Sequence, residues 1–357
     1  MRTYFTMLLL AMVVTFVTTP LANRLAHLLG AVDRPDPRKI HRNPTPRLGG
    51  LAVLCGFCAP LPALYFLDNR VAWIFQQNQL LILTLVGCSL VMFAVGVADD
   101  ILNLSPGRKL VFQILVAIAM YAGGFRISEI TTPWGHTWHL HWLALPVTVG
   151  WIVGLTNATN LLDGMDGLVA GMAAVLAVSL ALINILGGNT VVALLTFCLA
   201  GAALGFLPYN FSPARIFLGD SGSLFLGLVM AAISTISFFK AATATLVLIP
   251  FLLFALPLFD TTTVVIGRLR RGQHPFSPDK THVHHRLLSL GLNQKEAAFF
   301  LYVVCIFLGV AAIILSWRLS SAVFLTLLVL GTILAVSLLT WSVRLRGRRQ
   351  APKPPHP

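Results

Sequence analysis

Asn157-Ala-Thr-Asn160-Leu-Leu-Asp163-Gly164-Met165-Asp166-Gly167 is a polar, acidic stretch set between two apolar runs. Carboxylates beside hydrocarbon are costly and are kept where they do work. Asp163 and Asp166 are three apart and share a face of any helix that begins there. Gly164 and Gly167 let backbone N–H groups come close to a ligand. Such a helix would turn the positive end of its dipole toward a diphosphate. Asn157 and Asn160 add oxygen donors suited to a hard cation. Capping by Asn or Asp explains one or two of these residues, not all four. The chemistry that the stretch suits is the holding of a metal and a phosphorylated ligand at a membrane surface.

Four further polar clusters interrupt the apolar chain. Asp99-Asp100 closes one apolar run. Adjacent carboxylates repel, so the pair is expected to recruit a cation or hold a raised pKa, which suits Mg²⁺ handling or a general base. Arg108-Lys109 follows and can offset that charge. Tyr209-Asn210 leads into Phe217-Leu-Gly219-Asp220-Ser221-Gly222-Ser223, where Asp220 is a helix cap or a metal ligand. Phe217 can stack on a flat base, although an aromatic beside a span more often packs. Ser277-Pro-Asp279-Lys280-Thr-His282-Val-His284-His285-Arg286 puts three histidines among cations, a set for phosphate or sugar. Zinc would need Cys or carboxylate partners at closed spacing, and the segment does not supply that set. The segment from Asp33 to Gly50 carries Arg38, Lys39, Arg42 and Arg47. It reads as a basic inside loop, made more ordered by its prolines and Gly49-Gly50. Asp260 stands alone in an apolar run, a functional candidate by default, or else a hydrogen-bond partner within its helix.

These clusters need elements to carry them. Of 357 residues, 57% are hydrophobic and 10% charged, against about 25% charged in soluble domains. The expected fold is an all-α polytopic membrane protein of about eleven transmembrane helices. They fall near 4–22, 48–67, 79–98, 109–123, 143–157, 168–187, 191–208, 222–238, 245–266, 298–316 and 320–342. With the N-terminus outside, only Arg2, Arg70, Arg126, Lys240 and Arg318 of the 25 Lys and Arg residues fall on the outer side. That bias puts the C-terminus and the active site at the cytoplasmic face. Only Asp68 and Glu129 of the 12 acidic residues lie outside. Residues 1–342 form one transmembrane catalytic domain. Residues 343–357 are a basic, Pro-rich cytoplasmic tail, expected to be disordered and to rest on anionic lipid. A small hairpin around Trp134-Gly135 is expected in the outer segment 124–142. The net charge of +13 lies in loops between spans, where it meets the bilayer and not nucleic acid. The cysteines, Cys55 and Cys58 among them, sit in apolar runs as packing groups.

Asp99-Asp100, the Asn157–Gly167 stretch, Phe217-Leu-Gly219-Asp220 and His282-Val-His284-His285-Arg286 together resemble the polyprenyl-phosphate N-acetylhexosamine-1-phosphate transferase superfamily. The match runs in order from Asp33 to about Gly291. The Ser277-to-His285 segment is most similar to the WecA/TagO-like branch. The triple adjacent histidine followed by Phe-Glu of the MraY branch is absent, which argues against a UDP-MurNAc-pentapeptide donor.

The resemblance implies a multi-pass enzyme of the bacterial cytoplasmic (inner) membrane. It would pass N-acetylglucosamine-1-phosphate from UDP-GlcNAc to undecaprenyl phosphate and release UMP, opening the synthesis of a lipid-linked cell-envelope polysaccharide. It implies Mg²⁺, with Mn²⁺ able to substitute, on Asp220 and Asn160. Asp99 and Asp100 would act on the lipid phosphate or support the metal, beside the catalytic-loop carboxylates Asp163 and Asp166. Gly164, Met165, Asp166, Asn210 and Phe217 would hold uridine. His282, His284, His285, Arg286 and Lys39 would hold diphosphate and sugar, with Lys109 and Asn157 as further substrate contacts. The nearest alternative is the same chemistry on another UDP-N-acetylhexosamine. A transporter is remote, because its carboxylates would lie near the bilayer midplane between repeated halves. A homodimer stays open.

Overall fold

The computed structural model describes residues 1–33, 44–131, 136–238, 248–274 and 281–316. The chain begins with α1 (Arg2–Leu28), β1 (Val32–Asp33), β2 (Thr45–Pro46) and α2 (Gly49–Cys58). Next come α3 (Arg70–Gln77), α4 (Gln79–Leu102), α5 (Pro106–Ala122) and the strands β3 (Glu129–Thr131) and β4 (Thr137–His139). The central helices are α6 (Ala144–Leu162), α7 (Leu168–Leu186), α8 (Thr190–Asn210) and α9 (Gly219–Phe238). The last described are α10 (Leu248–Leu253), α11 (Ala255–Arg270), α12 (Val283–Ser289) and α13 (Gln294–Ser316).

Among the described residues, 8 helical stretches are long and apolar enough to cross a membrane. Three of the expected spans account for the difference. α5 has 17 residues, short for a straight crossing. The span expected at 245–266 is divided into α10 and α11. Pro257 is the third residue of α11, where the missing N–H costs nothing because the first four helical amides lack intrahelical acceptors. The span at 320–342 and the tail lie outside the described residues.

The bundle is built around α9. Of its membrane-length stretch 94% is buried, against 78% for α7 and α8 and 28% for α1. α9 packs against α2, α4 and α6. The approach to α4 is close: a Cβ on Gly96 would fall 2.3 Å from the Ser221 Cα. Small residues where helix backbones meet are the usual solution in a bilayer, where van der Waals packing carries association. α1 turns Phe5, Val13, Phe16 and Val17 outward, as fits a helix facing lipid tails. Several buried hydroxyls bond back along their own helices, as Thr156 does to the Ile152 carbonyl at 2.7 Å.

Two short ladders close the loops. β3 pairs antiparallel with β4, Ile130 opposite Trp138, so the expected hairpin forms; its Trp134-Gly135 turn lies outside the described residues. β1 pairs antiparallel with β2, Asp33 opposite Thr45. At the site end, Asn103 adopts a left-handed conformation (φ 51°) that ends α4, and Pro106 opens α5 at once. Asp99, Asp100 and Lys109 therefore flank one tight turn.

Candidate active site

Asp99 and Asp100 end α4 but face different partners. Asp100 accepts from the Asp220 amide on Oδ1 at 2.9 Å and from the Ser221 amide on Oδ2 at 3.0 Å. It thus caps the N-terminus of α9, where free amides and the dipole favour a carboxylate. Asp99 accepts from the Leu104 amide at 2.7 Å and from Lys109 Nζ at 2.6 Å. The same ammonium lies 3.3 Å from Asp220 Oδ2. Asn160, on the last turn of α6, donates to Asp220 Oδ1 at 2.8 Å and to Ser223 Oγ at 2.9 Å. α4, α5, α6 and α9 therefore meet in one network of Asp99, Lys109, Asp220 and Asn160.

The network meets a cavity of about 330 Å³ through Asp220. Its carboxylates are Asp33, Asp100, Asp163, Asp166 and Asp220. Gly164, Met165, Asn210 and Phe217 complete one wall, with Arg47 and His285 as the basic groups. Burial holds the Asp163 carboxyl well above the usual carboxylate range, and the charges of Asp220, Asp100 and Asp166 add to this. A bound cation would relieve that repulsion.

Two loops form the wall, and polar side chains tie them together. Asn210 accepts from the Gly167 amide at 3.1 Å and donates to the Ile216 carbonyl at 3.0 Å. Asp166 accepts from the Ala214 amide at 3.0 Å. Tyr302, on α13, donates to the Gly167 carbonyl at 2.5 Å. Phe217 is held by its backbone, which donates to the Pro46 carbonyl at 2.8 Å and accepts from the Gly49 amide at 3.0 Å. The β1–β2 ladder brings Asp33 into an ion pair with Arg47 at the cavity edge.

The histidine segment stands behind the cavity. His282 and His284 are buried and His285 lines the space. Burial, with His285 and His282 nearby, pushes the His284 imidazole down to about 4, so it is neutral at physiological pH. Arg286 is exposed and donates from Nε to the Thr281 carbonyl at 2.7 Å. Asn157 exchanges amide hydrogen bonds with Gln113 at 2.6 and 3.2 Å and does not line the cavity. Lys39 lies outside the described residues. Sequence reasoning passed over Asp33, Arg47 and Gln294 as cavity groups, and Gln113, Ser223 and Tyr302 as supports. Arg47, next to Gly49-Gly50, carried a signal; Tyr302, in an apolar run, carried none.

The family described as glycosyl transferase family 4 matches residues 82–238, which hold Asp99, Asp100, Asn160, Asp163, Asp166 and Asp220. A Bacillus subtilis (strain 168) protein named probable undecaprenyl-phosphate N-acetylglucosaminyl 1-phosphate transferase is 35% identical over 323 residues, 90% of this chain and 87% of the relative. The chain belongs to glycosyl transferase family 4. A family 4 member of this kind is a polyprenyl-phosphate sugar-phosphate transferase, as the resemblance of its motifs implied. A decaprenyl-phosphate N-acetylglucosaminephosphotransferase of Mycobacterium tuberculosis (strain ATCC 25618 / H37Rv) is 33% identical over 322 residues, 82% of this chain and 78% of the relative. An undecaprenyl-phosphate alpha-N-acetylglucosaminyl 1-phosphate transferase of Escherichia coli (strain K12) is 27% identical over 285 residues, 77% and 74%. The family 4 match contains the acidic network and ends before the histidine segment.

Proposed function

We propose that the enzyme transfers N-acetylglucosamine-1-phosphate from UDP-GlcNAc to undecaprenyl phosphate at the cytoplasmic face of a bacterial inner membrane. The observation that carries this is the Asp99–Lys109–Asp220–Asn160 network, set at the ends of apolar helices and opening on an acidic cavity. A lipid phosphate and a soluble nucleotide can meet only at such a boundary. The relatives' names support the sugar and the lipid class, and the Lys/Arg bias supports the cytoplasmic face.

An oxygen of the lipid phosphate attacks the β-phosphorus of UDP-GlcNAc. The bond from that phosphorus to the bridging oxygen breaks, and UMP leaves with the electron pair. Such a reaction needs alignment and charge neutralisation more than covalent help. Lys109, aimed by Asp99, receives the lipid phosphate. Asp100 holds the helix that carries Asp220. Phe217 stacks on uracil beside Met165 and Gly164, and His285 with Arg47 takes the phosphates and sugar.

The donor set also fits Mg²⁺, with Mn²⁺ as a substitute. Among the described residues no three His, Cys, Asp or Glu side chains converge as a metal cage. Mg²⁺ does not need one, since it is commonly held by one or two carboxylates plus waters and substrate phosphates. Asp220 would hold it, with Asn160 Oδ1, and Asp163 stands on the same cavity wall. When bound, the ion neutralises the diphosphate and polarises its oxygens.

Phosphorus labelling tests the bond that breaks. Label in the β-phosphate of UDP-GlcNAc should move into organic extracts, and label in the α-phosphate should stay in water as UMP. If both labels remain water-soluble, the transfer reading fails.

A further inference from the structure

Asp260 takes no part in the reaction described above, yet it is 3% exposed and both of its oxygens are engaged. Oδ2 lies 2.7 Å from Nδ1 of His282, and Oδ1 accepts from the Val283 amide at 2.6 Å. A carboxylate on one imidazole nitrogen fixes the ring's orientation and leaves the other nitrogen with a defined role. His282 in turn stacks on His284, with centroids 5.7 Å apart and planes 10° apart. His284 is 2% exposed, and neither of its nitrogens has a hydrogen-bond partner among the described residues. Hydrogen bonds therefore do not fix this ring; packing does. One face meets His282, and its edge meets the nucleotide loop. A Cβ built on Gly164 would fall 2.6 Å from His284 Nε2. Gly164 is on the cavity wall. An unbroken line of contact runs from Asp260 in α11, through His282 and His284, to the loop between α6 and α7.

The geometry points to Asp260 as a positioning residue for the nucleotide: it clamps the His282–His284 stack against Gly164 and so sets the shape of the nucleotide-binding loop. This rests on the UDP-sugar reading. It adds a residue from a distant helix that touches neither substrate. Helix α11 also packs against α6, which leads into the 163–167 loop, but both Asp260 oxygens are engaged by His282 and Val283, so the histidine stack is the connection that this carboxylate acts through.

The test uses the full-length protein in detergent, with UDP as the probe in the presence of Mg²⁺. Asp260→Asn should weaken UDP binding by about tenfold, the low end of the cost of losing a carboxylate that orients a metal-bound histidine. In turnover the same variant should raise KM for the nucleotide sugar by more than it lowers kcat, and should leave KM for the lipid phosphate unchanged. His282→Gln should show the same split, and the double variant should be no worse than the poorer single one. If Asp260→Asn does not fold, His282→Gln is read alone, since it keeps the cap on Val283. Wild-type UDP affinity in the variants overturns the proposal. So does a fall in kcat at unchanged KM, which is what a merely structural residue would give through loss of active protein. A wild type that binds UDP but does not turn over UDP-GlcNAc would count against the substrate assignment and leave this test standing.

Discussion

Asp100 holds Asp220 by its backbone, not by its carboxylate: the Asp100 side chain accepts from the Asp220 amide at 2.9 Å and from the Ser221 amide at 3.0 Å. The carboxylate of Asp220 is thereby left to Asn160 and Lys109. Of these two acids of the same type, one holds a helix end and the other keeps its carboxylate for side-chain donors. Asp100→Asn keeps one acceptor and turns an NH₂ toward the other amide. That loss is expected to cost about 1–3 kcal/mol of stability, read as a lower unfolding temperature in detergent. Asp220→Ala should instead abolish turnover with a smaller change in unfolding temperature. Equal thermal loss in both variants would remove the distinction.

Lys109 bridges Asp99 and Asp220 at 2.6 and 3.3 Å. Its ammonium sits where a divalent cation and a lipid phosphate would each place charge. Lys109→Met should lower turnover at least about tenfold, as loss of a charged transition-state contact commonly does. It should also raise KM for the lipid phosphate. Removing a positive charge beside Asp220 should let Mg²⁺ stabilise the protein at lower concentration, measured by thermal shift without substrate. An unchanged or higher Mg²⁺ requirement would mean that the lysine does not compete for that carboxylate.

Gly164 has no room for a side chain while His284 stays in place, because a Cβ there would lie 2.6 and 2.9 Å from ring atoms. Gly164→Ala should therefore weaken nucleotide binding, and the penalty should shrink in a His284→Ala background. A double-mutant cycle measures this coupling. Additive losses would show that ring and loop do not press on each other.

Burial, and then the neighbouring His285 and His282, push the His284 imidazole from its ordinary value near 6.5 down to about 4 in the folded protein. A depressed folded value means that the unfolded chain takes up a proton first as pH falls. The contribution of His284 to stability is complete above pH 6.5 and is lost between there and about 4, a change on the order of 3 kcal/mol. His284→Phe, similar in size and without a charge to gain, should flatten the fall in unfolding temperature between pH 7 and 5. A variant that follows the wild-type pH curve would contradict the assignment.

The acidic clusters were legible because carboxylates stand out in an apolar chain. Asp99-Asp100, Asp163, Asp166 and Asp220 needed only the cost of burying charge to be singled out. Which of them would support the others was not legible. The division between Asp99 and Asp100 depends on which face of α4 meets α9, and adjacent residues point about 100° apart on a helix. Arg47 and Asp33 looked like parts of an ordinary basic loop, since their pairing is made by a two-residue ladder across that loop. Tyr302, which holds the Gly167 carbonyl, and Gln113, which holds Asn157, lie on helices that read as simple apolar spans. The hairpin at β3 and β4 was found because local turn chemistry suffices for it. The break between α10 and α11 was missed because hydropathy runs straight through it. Asp260 was visible as an anomaly, but its partner lies 22 residues away in another segment.

The most direct measurement is UMP release from UDP-GlcNAc by the purified protein, with undecaprenyl phosphate and Mg²⁺ added singly and together, beside a panel of other UDP-N-acetylhexosamines. Release should occur only when lipid phosphate and Mg²⁺ are both present, and fastest with UDP-GlcNAc. Release of UMP without the lipid, or none from any UDP-sugar with both present, would contradict the transferase account.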